Sequence, residues 1–163
     1  MAPKTDFTSD EWGRLLSSPM VAGMAITAAD PSGLWGLMKE SMAGAWAIVE
    51  ARQNAQANPL VKAVADDFAT GEGRTAAQAA LKSHITGSSV GALKDAALAE
   101  LKAVSVILAT KAPNDAAAFK AWLQQIAQKA AEASKEGGFL GFGGVAVSDA
   151  ERATLTEIAS ALV

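Results

Sequence analysis

The chain has 163 residues, of which 38 are alanine; 14 are Lys or Arg, 17 are Asp or Glu, one is His, and Cys and Tyr are absent, giving a formal net charge of −3. One domain of this size buries roughly 70% of the surface its unfolded chain exposes, enough for a core without staples. The lack of cysteine removes disulfides, thiolate nucleophiles, Cys-ligated zinc and iron–sulfur clusters together. No block is strongly basic, which argues against nucleic acid as a partner.

The opening residues are acidic and carry no signal-peptide apolar region. Residues 1–8 are expected to form a flexible segment, and the protein is expected to be cytoplasmic. Ser9 is placed to cap a short helix carrying Trp12, Leu15 and Leu16. Ser18-Pro19 reads as a second N-cap and first helical residue, opening Met20–Ala29. The uncharged stretch Leu15–Ala29 falls short of the roughly 20 residues needed to span a bilayer. It reads as a buried core helix.

Asp30-Pro31 repeats the start signal for a long helix to Gln56, and Asn58-Pro59 repeats it for a helix to Thr70. Gly71-Glu72-Gly73 is expected to break the chain before a helix over Thr75–His84, closed by Gly87. Ser88 or Ser89 caps a long helix to Lys111, and Asn114 caps another to Lys135. Ser148 and Glu151 form the capping box of the last helix.

Apolar spacing agrees with these elements. Trp35, Met38, Met42, Trp46 and Val49 step by three and four. Leu93, Ala97, Leu101, Val104 and Leu108 do the same, as do Phe119, Trp122, Leu123, Ile126 and Ala130, and then Leu155, Ile158 and Leu162. The predicted fold is one all-α domain over residues 1–163. It is a compact, alanine-rich bundle of about seven or eight helices, with a Gly/Phe-rich loop before the last.

Several patterns touch on chemistry. Gly87-Ser88-Ser89-Val90-Gly91 matches the nucleophile-elbow pattern, but no strand precedes it and the only His, His84, comes before the Ser. A loop and helix N-cap explain it as well, and the same N-terminus offers N–H groups to an anion. His84 near Asp66, Asp67 and Glu72 is one imidazole, whereas transition metals recruit several imidazoles or thiolates. No metal ligand is therefore assigned, and no cofactor is identified. His84 reads as a solvent-exposed residue at a helix C-terminus, and Asp66 and Asp67 as a solvated face. No catalytic residue is assigned, and the inventory leans away from an enzyme.

Two segments are candidate partner- or ligand-binding sites. The first is the stripe of Trp35, Met38, Met42 and Trp46, where adaptable methionines meet large aromatics. The second is the loop containing Phe139, Leu140, Gly141, Phe142 and Gly143, whose glycines relax the backbone around apolar side chains. Gly44 within a helix points to a close backbone approach.

The tail from Gly143-Gly144 through Ser148, Asp149, Glu151, Leu155 and Ile158 to Leu162 resembles the end of tellurite-resistance TerB-like helical proteins. In those proteins an Asp-Gly turn precedes a capped helix. Gly143-Gly144 stand here in place of Asp-Gly, and no function is carried over.

The first functional expectation is a non-catalytic helical interaction or scaffold protein that self-associates as a homo-oligomer or binds another protein. The alternative is an intracellular carrier or sensor holding a lipophilic small molecule between helices. No membrane span is expected.

Overall fold

The computed structural model describes residues 3–29, 47–54, 56–87, 89–133 and 147–163. Within them every regular element is helical, as the spacing predicts. A single 3-10 turn, Lys4–Asp6, is followed by α1 (Ser9–Thr27) and by α2, which covers 47–53. The others are α3 (Pro59–Phe68), α4 (Gly71–His84), α5 (Val90–Lys111), α6 (Pro113–Ala133) and α7 (Asp149–Ala161).

The centre of the bundle is α1. Its buried residues run almost all the way round it, from Trp12 through Leu15–Pro19 to Val21–Gly23 and Ala25–Thr27. α3, α4, α5, α6 and α7 all pack against it. A helix surrounded on every side has no polar face to keep, so the uncharged run Leu15–Ala29 is indeed a core helix. Leu101 and Leu108 of α5, Phe119 and Leu123 of α6 and Ile158 of α7 complete the interior.

The structure corrects the reading of Ser18-Pro19. The chain does not restart there: α1 is continuous and carries Pro19 in its interior. Proline has no N–H, so it leaves the carbonyl four residues back without its helical partner. That carbonyl belongs to Leu15, and the Ser18 hydroxyl donates to it at 2.8 Å. Ser18 is fully buried. The serine thus repairs the defect made by its neighbour. Ser18→Ala is expected to cost about 1–3 kcal/mol, the penalty for a buried acceptor left unpaired, measured as a lower midpoint in denaturant unfolding. An unchanged midpoint would show that another donor reaches the Leu15 carbonyl.

The cap of α1 is Thr8 rather than Ser9. Thr8 and Glu11 form a capping box, in which Glu11 N–H donates to Thr8 Oγ1 at 3.2 Å and Thr8 N–H to Glu11 Oε2 at 2.7 Å. Two of the residues before α1, Phe7 and Lys4, make contacts with the helices. Phe7 is buried with its ring 5.6 Å from Trp12, and Lys4 Nζ donates to Asp67 Oδ2 at 2.7 Å.

Two other starts differ from expectation. Gly71 and Gly73 do not break the chain; they form the first turn of α4, capped by Thr70, whose hydroxyl accepts from Gly73 N–H. α6 begins at Pro113 directly after Ala112, so Asn114 lies inside the helix rather than capping it. Pro113 fits because a helix's first N–H groups have no partner to lose. The Asn58 cap of α3, the Ser89 cap of α5 and the Ser148–Glu151 capping box of α7 are as predicted. Among the described residues no helix is long and apolar enough to cross a membrane.

Candidate functional site

Both segments singled out in the sequence, Trp35, Met38, Met42 and Trp46, and Phe139, Leu140, Gly141, Phe142 and Gly143, lie outside the described residues. The described part of the chain brings together two other arrangements, a groove and a polar cluster around the buried Glu100.

The groove lies between α2, the start of α3 and one face of α6, and its volume is about 300 Å³. α6 supplies Ala118, Ala121, Trp122, Gln125, Ile126 and Lys129. These positions recur at three- and four-residue spacing and so share one helix face. Ala47, Ala51, Ala57 and Val61 complete the apolar lining. Trp122 is held from behind by Phe119, with ring centroids 5.3 Å apart in an edge-to-face arrangement. Alanines keep the walls low, which is why a depression remains where larger side chains would fill it.

Polar pairs stand at both ends of the apolar track. At one end Lys129 Nζ donates to Glu50 Oε2. At the other Asn58 Nδ2 donates to the buried Asp115 at 2.9 Å, while Asn58 Oδ1 caps α3. The groove-lining part of α6 that lies between them, from Ala118 to Ile126, is about 12 Å long at 1.5 Å per residue. Asn54 and Gln125 place carboxamides on the rim. The lining combines an apolar floor with a few polar groups, the usual make-up of a small-molecule site.

The second arrangement joins α1, α4 and α5. Arg14 Nε donates to Asp10 Oδ2 at 3.0 Å, and Arg14 Nη1 donates to Glu100 Oε2 at 3.1 Å. Arg14 Nη2 lies 2.9 Å from His84 Nδ1, and His84 Nε2 lies 2.8 Å from Asp10 Oδ1. A guanidinium can only donate. His84 Nδ1 must therefore be the bare, accepting nitrogen, and Nε2–H donates to Asp10. This corrects the reading of His84 as a solvent-exposed helix end. It does end α4, but both ring nitrogens are engaged and its side chain is only 21% exposed. With Nδ1 covered by Arg14 and Nε2 tied to Asp10, the imidazole has no free nitrogen with which to activate a serine.

The charges respond to these surroundings. The hydrogen bond from His84, reinforced by Arg14, holds Asp10 below its ordinary carboxyl value. Glu100 goes the other way: burial pushes its carboxyl up, against the pull of Arg14. Its Oε1 is buried and has no hydrogen-bond partner among the described residues.

Compared with known protein families, curated proteins and solved structures, the chain shows no match. The site is therefore read from its own geometry. The serine pattern is structural: Ser89 Oγ accepts from Ala92 N–H at the start of α5, and Ser88 lies outside the described residues. Asp66 pairs with Arg52 on the surface, in line with a solvated position. Asp67 does not fit that description, because its Oδ2 accepts from Trp12 Nε1 at 2.6 Å as well as from Lys4. Burial raises the Asp67 carboxyl, but these two donors outweigh it and the net shift is downward. Among the described residues no group of three or more His, Asp or Glu side chains is arranged to hold a metal ion.

Sequence reasoning missed the groove and the cluster alike. Glu50 and Lys129 are 79 positions apart, and nothing local pairs them. For the cluster there was a signal: Glu100 lies three residues after Ala97 and four before Val104, so a carboxylate occupies the buried face of α5.

Proposed function

We propose that the protein binds a small lipophilic molecule with one polar end, in the groove between α2, α3 and α6. The observation that carries this reading is the short apolar track along Trp122, Val61 and Ile126, closed at each end by a polar pair. A partner helix would need a longer open stripe, whereas a molecule of about 12 Å matches the part of α6 from Ala118 to Ile126 that lines the groove. Its apolar body rests on Trp122 and the alanines. Its polar end meets Gln125, Asn54 or the ammonium of Lys129, which orient it. The function is that of a carrier or sensor, with no bond made or broken.

The test is calorimetric titration with decanoate, whose extended chain is of that length, and with decanol as the uncharged counterpart. Saturable one-to-one binding is expected for at least one of them. Ala121 is exposed on α6 and lines the groove, so Ala121→Phe fills it without touching the core and is expected to weaken binding at least about tenfold, or about 1.4 kcal/mol. Native mass spectrometry of protein from its own host adds a second reading. A reproducible small adduct supports the proposal. A homo-oligomer without adduct, together with no saturable titration, overturns it in favour of self-association.

A further inference from the structure

The cluster on α1, α4 and α5 holds two carboxylates, one guanidinium and one imidazole, with Glu100 as its buried member. The charged and titratable groups facing Glu100 are Arg14 and Asp10 from α1 and His84 from α4. Among the acceptor atoms of this cluster, each is faced by a donor except one. Asp10 Oδ1 receives His84 Nε2–H, Asp10 Oδ2 receives Arg14 Nε–H, His84 Nδ1 receives Arg14 Nη2–H, and Glu100 Oε2 receives Arg14 Nη1–H. Glu100 Oε1 receives no donor among the described residues, and its side chain is only 5% exposed. A buried acceptor left unpaired costs free energy, and taking up a proton removes both the orphan lone pair and the buried charge.

We infer that Asp10, Arg14, His84 and Glu100 form a single proton-binding site, and that the proton enters at Glu100 Oε1. The carboxylic acid keeps Oε2 as the acceptor for Arg14, so α1 and α5 stay joined in either state.

The sign of the effect on stability follows from linkage. Burial raises the Glu100 carboxyl in the folded chain above its ordinary value of 4.5. Its contribution to stability is then fully present below 4.5 and is lost as pH rises through the folded value. Ionised Glu100 is a load on the fold at neutral pH, and acid relieves it. The site is separate from the proposed ligand groove, because α1, α4 and α5 supply none of the groove's lining.

Two readouts on the whole protein test this. Infrared difference spectra show the C=O stretch of a buried carboxylic acid, and denaturant unfolding reports the stability it brings. As pH is lowered from neutrality, the buried acid band is expected to appear while the protein is still folded. In Glu100→Gln the band is expected to be lost, along with the rise in unfolding midpoint that Glu100 gives the wild type as pH falls toward 4.5. Absence of the band down to the pH at which the protein unfolds would overturn the inference, as would a band that persists in Glu100→Gln. The appearance of the band is read in the wild type, so that result stands even if the variant folds poorly.

Discussion

Phe119→Ala is expected to lower stability by about 3–5 kcal/mol, the range for emptying a buried aromatic site. For a domain of this length that corresponds to a fall in Tm of roughly 6–20 °C. Phe119 is fully buried in α6 and its ring meets Trp122 edge-on at 5.3 Å. Two losses combine. The side chain's contacts with the core disappear and leave a cavity. Trp122, which forms the floor of the groove, also loses the ring that holds it in place. Weaker decanoate binding should therefore accompany the lower Tm, even though Phe119 does not line the groove. Phe119→Leu, which keeps most of the volume, should recover much of the stability and part of the binding. If Phe119→Ala bound decanoate as tightly as the wild type, the rigid floor would not be what the groove depends on.

Gly73→Ala is expected to cost about 2–3 kcal/mol or more, at the upper end for forcing atoms into a filled site. A Cβ at Gly73 would lie 1.9 Å from the carbonyl oxygen of Asp67 and 2.5 Å from its carbon. These are backbone atoms, so no rotamer change relieves the overlap. The carbonyl also cannot give way cheaply, because it accepts from Thr70 N–H at 2.9 Å and from Thr70 Oγ1 at 2.7 Å. Those bonds fix the turn from α3 into α4. The same residue's carboxylate holds Trp12 and Lys4, so displacing Asp67 disturbs α1 and the N-terminal segment as well. Near-ultraviolet circular dichroism should report the change at Trp12. Gly71, two residues earlier, is the control: a Cβ there meets nothing within 4 Å. Gly71→Ala is expected to be neutral or to stabilise by up to about 1 kcal/mol. Equal effects at the two glycines would refute the steric account.

The helices were readable because their signals are local. Asn58-Pro59, Ser89 and the Ser148–Glu151 pair each satisfy N–H groups within one turn of themselves, whatever the rest of the chain does. The buried stripes of α5 and α6 were readable because helical periodicity maps directly onto one face. The misreadings came where one residue answered to two rules. Pro19 looks like a helix start, but Ser18 supplies Leu15 with a replacement donor and the helix runs on. Gly71 and Gly73 look like a break, but α4 needs a residue without Cβ where it crosses Asp67. In both cases the deciding partner is a neighbour whose position depends on the backbone path, not on residue type.

The candidate site was less legible than the fold. Trp122 was correctly read as buried, but burial and groove lining are different faces of one side chain, and periodicity does not separate them. The groove exists because alanines from α2 and α6 meet, and the distance between two helix axes is not written in either helix. Glu100 gave a hint, a charge on an apolar stripe. Its partners Arg14, Asp10 and His84 come from helices far away in the chain.

The amino-acid sequence by itself determined that this chain is helical, where most of its helices begin, which faces are apolar and which chemistries it lacks. Those properties follow from hydrogen bonding within one or two turns, from the 3.6-residue period and from composition. Only the tertiary structure decided that α1 lies at the centre, that a groove remains between α2, α3 and α6, and that both ring nitrogens of His84 are engaged by Arg14 and Asp10. These depend on contacts between residues tens of positions apart, whose geometry is set when the helices pack and not before.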